Sequence, residues 1–92
     1  MQADKKFYTY IILTEDNTLY CGYTDDPKKR FEKHKAGLAA KYTRVHKPLK
    51  MVYLKEFETK SEAMKEEYRI KHLKRPQKIA LIEDLSSNTL IK

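Results

Sequence analysis

Aromatic and β-branched residues crowd two short runs near the start of the chain, Phe7 to Thr14 (FYTYIILT) and Thr18 to Tyr23 (TLYCGY), with the polar Glu15, Asp16 and Asn17 between them. This pattern predicts a β-hairpin. Loop length decides how its tyrosines face. A two-residue loop at Asp16-Asn17 would set Tyr10 and Tyr20 on opposite faces, whereas a three-residue loop, Glu15 to Asn17 with Asn17 left-handed, sets both on one. The three-residue loop is expected. Further on, Leu49 to Phe57 alternates, with Leu49, Met51 and Tyr53 against Lys50, Val52 and Leu54, and predicts a third strand.

Helix signals fill the remaining stretches. Asp25-Asp26-Pro27 is an Asx cap followed by a proline at the first helical position, and predicts a helix to about Lys35 that stops near Gly37. Leu38 to Lys47 carries Lys41, Arg44, His46 and Lys47 without either period, and reads as a basic loop. Thr59-Lys60-Ser61-Glu62 matches a capping box and predicts a second helix to about Lys74. Pro76 restarts a helix through Ile79, Leu81, Ile82 and Leu85, with Ser86-Ser87-Asn88 as its end and a frayed tail to residue 92. The order ββαβαα describes one α/β (α+β) domain over residues 1–92, with a three-stranded, antiparallel-containing sheet flanked by helices.

Composition narrows the function. The 92 residues are 40% hydrophobic, enough for one modest core and too few for a two-domain enzyme. Twenty Lys and Arg face 13 Asp and Glu, and the resulting charge of +7 points to a polyanionic partner. The longest apolar run, Ile11-Ile12-Leu13, falls far short of the roughly 20 residues of a membrane span. No membrane partner is expected. Met1 to Lys6 leads into no secretory h-region, and the single Cys21 can form no internal disulfide, so the expected compartment is the cytoplasm. Cys21 reads as a small core residue, and His34, His46 and His72 lack the paired spacing of zinc ligands.

Three anomalies suggest chemistry. On a helical wheel Ala63, Met64, Tyr68, Ile70 and Leu73 define an apolar arc, and Glu67 falls inside it. Either it meets a cation or metal, or it sits at a rim and reaches solvent. Arg30 and His34, four apart, share a helix face beside Phe31, as a phosphate-gripping pair or as part of a solvated Lys-rich face. Tyr10 and Tyr20 lie on paired strands, as core aromatics or as phenols able to orient or deprotonate water. Arg44, His46, Lys47 and Lys50 form either a phosphate-contacting strip beside the cleft or a solvated charge run.

The order of these residues resembles the signature of GIY-YIG nucleases. Tyr8-Thr9-Tyr10 stands where that family has its first triplet, Tyr20-Cys21-Gly22 where it has Tyr-Ile-Gly, and Arg30, His34 and Glu67 follow at matching spacings. The likeness runs from about Phe7 to Lys78. Glu67 to Lys71 with Arg75-Pro76-Gln77-Lys78 is most similar to the small stand-alone bacterial proteins of the YhbQ and YazA type. The resemblance implies a metal-dependent endonuclease. Tyr10 would be the general base or partner the attacking water, and Tyr20 would position that water. Arg30 would stabilise the scissile phosphate, His34 would support the phosphate or the proton transfer, and Glu67 would hold one Mg²⁺ or Mn²⁺. Gly22 would allow close backbone approach, and Tyr23 stands where some relatives have Lys. Tyr23, Arg44, His46, Lys47 and Lys71 are the expected nucleic-acid contacts, DNA before RNA, with targeting by a protein partner and the oligomeric state left open. A basic module that keeps the fold and binds nucleic acid without cutting it is the alternative, although binding alone has no use for an inward carboxylate.

Overall fold

The hairpin forms in the register that a three-residue loop imposes. In the computed structural model, which describes the backbone of residues 5–91 and side chains through residue 85, β1 (Phe7–Thr14) pairs antiparallel with β2 (Leu19–Thr24). Met1 to Asp4, part of the segment read for a leader, and Lys92 lie outside the described residues. The Thr14 N–H bonds the Thr18 carbonyl at 2.9 Å, leaving Glu15 to Asn17 as the loop, and Asn17 has a φ of 66°. Tyr10 stands opposite Gly22 and Ile12 opposite Tyr20, so the pleat puts Tyr10 and Tyr20 on one face.

β3 (Pro48–Phe57) pairs antiparallel with the other side of β1, giving the order β2-β1-β3. Its alternation is interrupted. Ile11 faces Tyr53 while Ile12 faces Met51, so Val52 is an extra, bulged residue. Val52 and Tyr53, set against each other by the alternation, both join the core, and Leu49 is exposed. β1 is central and covered on both faces, with Thr9 to Ile12 all buried.

α1 (Pro27–Lys35) begins as expected, the Asp26 carboxylate accepting the Lys29 N–H at 3.1 Å, and gives way to Gly37 at a φ of 76°. The basic stretch after it is not wholly a loop: Lys41–Val45 forms a short helix, α2. Its Thr43 is buried against His34 of α1, a tertiary contact that leaves no local period. α3 (Lys60–Lys71) carries the capping box, with Thr59 Oγ1 accepting the Glu62 N–H at 3.2 Å and the Glu62 carboxylate accepting the Thr59 N–H at 3.1 Å. It ends at Lys71 rather than Lys74, where the Gln77 side chain accepts the Lys74 N–H and starts the next helix. That helix, α4 (Arg75–Ile91), runs through Ser86-Ser87-Asn88 instead of ending there. Serine and asparagine cost a helix only a fraction of a kcal/mol each, and neither Gly nor Pro intervenes.

α3 and α4 cover one face of the sheet. Ile11, Cys21, Tyr53 and Ile70 form the core there, with Leu81, Ile82 and Leu85 packed on it, so Cys21 is the core residue expected. The apolar arc on α3 is narrower than its wheel predicts. Ala63 and Ile70 are fully buried, but Met64 and Tyr68 point outward, lying about 100° and 140° around the helix from Ala63 at 3.6 residues per turn. Tyr10, His34 and Thr43 fill the opposite face between β1, α1 and α2. No helix among the described residues is long and apolar enough to cross a membrane.

Asn17→Val places a β-branched residue at a positive φ and should destabilise the fold by about 1–2 kcal/mol, whereas Asn17→Gly should leave it nearly unchanged. Urea melts of the two variants check the loop; equal stability of Val and wild type would contradict it.

Candidate active site

A cleft of about 560 Å³ opens beside β2, with α1 and α3 contributing to its walls. The hairpin supplies Tyr10, Tyr20, Gly22 and Tyr23, α1 supplies Arg30, and α3 supplies Glu67. Four of the five expected catalytic residues therefore share one cavity. The fifth, His34, is 1% exposed and packs edge-on against both Tyr10 and Tyr20 at ring separations of 5.7 and 5.2 Å. Gly22 is required by this packing. A Cβ there would stand 2.5 Å from the Tyr10 hydroxyl and 2.7 Å from the ring carbon that bears it.

Beneath the cleft runs a hydrogen-bond chain. The Thr43 hydroxyl lies 2.7 Å from His34 Nδ1 and 3.2 Å from the Ala40 carbonyl, and when it donates to Ala40 it accepts from Nδ1. In that arrangement Nδ1 carries the ring proton, and Nε2 accepts the Tyr10 hydroxyl at 2.8 Å. Burial, reinforced by the positive charge of Arg30, lowers the His34 pKa to about 4, so the ring is neutral near pH 7. Burial likewise pushes the Tyr10 phenol well above its ordinary value, with the Tyr20 phenol adding to the rise and Arg30 opposing it. Tyr10 can thus lend its oxygen lone pairs to the cleft while His34 stands ready for its proton.

Tyr20 is held from its other side by an aromatic column. It stacks on Tyr42 at 5.7 Å, Tyr42 stacks on His46 at 4.3 Å, and His46 Nδ1 donates to Asp16 in the hairpin loop at 2.5 Å. His46 is therefore remote from the cleft, at the far end of this column. Arg44 and Lys47 line a separate recess with Lys35 and Glu15, which shares no residue with the cleft. The expected strip does not border the site. Tyr23 does, and Lys71 reaches it by pairing with Glu67 at 3.3 Å.

Glu67 behaves as a wall residue with its side chain 19% exposed. The carboxylate actually turned toward the core is its neighbour Glu66, which accepts the Tyr53 hydroxyl at 3.1 Å and Arg69 at 2.7 Å, and which the wheel did not single out. Asp25, read as cap or surface, also lines the cleft and pairs with Lys5 at 3.0 Å; Lys60 is a further cation there. Neither carried a sequence signal, since one sits beside the capping aspartate and the other inside a capping box. Burial and the Glu67 charge push the Cys21 thiol up to about 12, so it is no nucleophile. Among the described residues no three His, Cys, Asp or Glu side chains gather into a metal cage. An ion at Glu67 would complete its shell with water and phosphate oxygens. That suits Mg²⁺, which usually takes one or two carboxylates and keeps several waters.

The model of the GIY-YIG catalytic domain matches residues 6–80 of the chain. A UPF0213 protein of Oceanobacillus iheyensis is 49% identical over 80 residues, spanning 87% of this chain and 93% of that one. The solution structure of a UPF0213 protein from Bacillus halodurans superposes with a TM-score of 0.56 at 42% identity, over 85% of this chain and 83% of that one. A second solution structure, of a protein from E. faecalis, gives a TM-score of 0.59 at 38% identity, covering 98% and 93%. The three-stranded antiparallel sheet with flanking helices is thus shared with solved relatives.

Because the folded pKa of His34 lies below the 6.5 of the free side chain, the unfolded chain takes up the proton first as pH falls. Its contribution to stability is full above pH 6.5 and is lost between there and about pH 4, on the order of 3 kcal/mol. His34→Gln should remove that part of the pH dependence, and imidazole NMR of wild type should show the Nδ1–H tautomer persisting toward pH 4. A His34 resonance titrating near 6.5 would contradict the buried neutral ring.

Proposed function

The chain belongs to the GIY-YIG catalytic-domain family, and from that premise we propose that it is a metal-dependent endonuclease hydrolysing phosphodiester bonds in nucleic acid, DNA before RNA, in DNA processing or repair. The observation that carries this reading is the convergence of Tyr10, Tyr20, Arg30 and Glu67 on one cleft, with His34 bonded to Tyr10 from beneath. A structural ion pair needs no phenol, and a binding groove needs no relay.

Hydrolysis requires an activated water and compensation of the charge that builds on phosphate. A water in the cleft gives one proton to the Tyr10 oxygen as Tyr10 passes its own to His34 Nε2, so the phenol need never exist as a free phenolate. Tyr20, held by His34 and Tyr42, orients that water. Arg30 grips a non-bridging phosphate oxygen. Its charge is also one cause of the low His34 pKa, so pairing it with phosphate raises the proton affinity of His34 when the relay needs it. A Mg²⁺ or Mn²⁺ ion at Glu67 would supply Lewis-acid stabilisation of the phosphate and leaving oxygens. Tyr23 and Lys71 border the strand's path, and Arg44, His46 and Lys47 would meet phosphates farther along it.

The second reading, binding without turnover, has one specific support: the Glu67 carboxylate already pairs with Lys71, which competes with a metal.

A cleavage panel of duplex, branched and single-stranded DNA and RNA with Mg²⁺ or Mn²⁺ tests the first reading, and EDTA should abolish activity. Glu67→Ala and Arg30→Ala should each cost at least about a hundredfold in rate. Tyr10→Phe, which keeps the ring, should cost roughly 10²–10⁴-fold with binding retained. Melting should barely move in Glu67→Ala, since an i,i+4 helix pair at a cleft wall contributes only about 0.3–0.5 kcal/mol. Unchanged rates in all three variants would place the site elsewhere; a wild type that binds every substrate and cuts none would favour the binding module.

Binding to duplex DNA should also weaken with salt, log affinity falling by about 0.9 per log unit of salt for each phosphate neutralised. A flat profile would remove nucleic acid as the partner.

A further inference from the structure

Immediately beside the cleft, α3 turns an aromatic face to solvent. Tyr68 is 68% exposed and Met64 43%, although the apolar spacing of the helix marks both for the core. They line a second recess, about 720 Å³, together with Lys60, Ser61, Lys65 and Glu67. Lys60 and Glu67 line the cleft as well, so the two cavities share a wall.

The Tyr68 ring is backed rather than loose. His72 lies against it at a centroid distance of 4.2 Å, and the His72 Nδ1–H donates to the Tyr68 carbonyl at 2.8 Å, which anchors the imidazole. A ring supported on one side loses less rotamer freedom when something stacks on the other.

We propose that this Tyr68–Met64 shelf is a stacking platform for an unpaired nucleobase next to the phosphate held in the cleft, so that the substrate is a single strand or the single-stranded arm of a branched nucleic acid. The inference rests on the nuclease reading above and names its substrate class. Charge complementarity and the wall shared with the cleft carry it: an apolar, aromatic floor rimmed by Lys60 and Lys65 offers a ring to the base and cations to the flanking phosphates. In a duplex the bases are stacked on one another and cannot lie on a side chain, whereas an unpaired base can.

Fluorescence anisotropy with the full chain, in EDTA so that no strand is cut, tests the shelf with four labelled probes: single-stranded DNA, RNA of the same sequence, the DNA duplex, and a strand of equal charge lacking its bases. Wild type should bind the single strand more tightly than the baseless one. Tyr68→Ala should weaken single-strand binding roughly tenfold while leaving the baseless strand and duplex unchanged, and Tyr68→Phe should keep most of the affinity. The DNA and RNA arms identify which strand the shelf prefers.

Tyr68→Ala binding single strands as wild type does would overturn the shelf alone, and so would an equal loss on duplex, which would mean a backbone contact. A wild type that binds none of the four probes would overturn shelf and nuclease reading together. Sedimentation that shows a wild-type dimer dispersed by Tyr68→Ala would identify a second copy of the chain as the occupant and overturn the proposal.

Discussion

One buried hydrogen bond, from the Tyr10 hydroxyl to His34 Nε2 at 2.8 Å, joins the central strand to α1, and much of the cleft depends on it. Both groups are polar and nearly inaccessible, and an unsatisfied group at such depth costs about 1–3 kcal/mol. The bond spares both, and Thr43 satisfies the other imidazole nitrogen at 2.7 Å. α2 is thus held by a hydroxyl bonded to His34 together with the stacking of Tyr42 on Tyr20. The same bond fixes the Tyr10 ring across the strand pair, which forbids any side chain at position 22.

From that constraint the cleft's composition follows. With no side chain at Gly22, the Tyr10 ring can lie across β2 and floor the cleft, and residues on α1 and α3 form its walls. Arg30 lies one turn ahead of His34 on α1, so anchoring His34 to the sheet carries Arg30 to the cleft wall. Glu67 lies between Ala63 and Ile70, both fully buried on α3, so packing that helix carries Glu67 to the opposite wall. Neither charged residue enters the core. Each rides on a buried neighbour one turn away.

This explains what could be read from the residues and what could not. The hairpin was legible because loop length and strand pleat are local and determine facing completely; Asn17 and the Tyr10–Tyr20 face followed from them. Helix starts were legible because Asp26 and Thr59 cap through bonds three residues long. α2 was not, since Thr43 is bound by a residue on another helix, and the bulge at Val52 was not, since only the pairing partner reveals an extra residue. The candidate site residues were singled out by their likeness to a family signature combined with helical spacing, and four of them line one cleft. Thr43, Tyr42, Asp25 and Lys60 carried no such mark and became visible only once the elements were placed. Arg44, His46 and Lys47 lie apart from the cleft, because nearness in a basic run says nothing about which side of a small domain it covers.

The tension in the site is electrostatic. Tyr10 holds its proton more tightly than a free phenol, and His34 takes one less readily than a free imidazole, so neither alone is a good base at neutral pH. Both shifts come first from burial, and the Arg30 charge lowers the pKa of each group, easing ionisation of the phenol and discouraging protonation of the imidazole. On the proposed reading these effects belong to the free protein. An anionic phosphate against Arg30 cancels much of its field, favours positive charge on His34, and leaves the concerted transfer from water through Tyr10 as the route of lowest charge separation. The relay is then inert toward bulk water and becomes competent when phosphate fills the cleft.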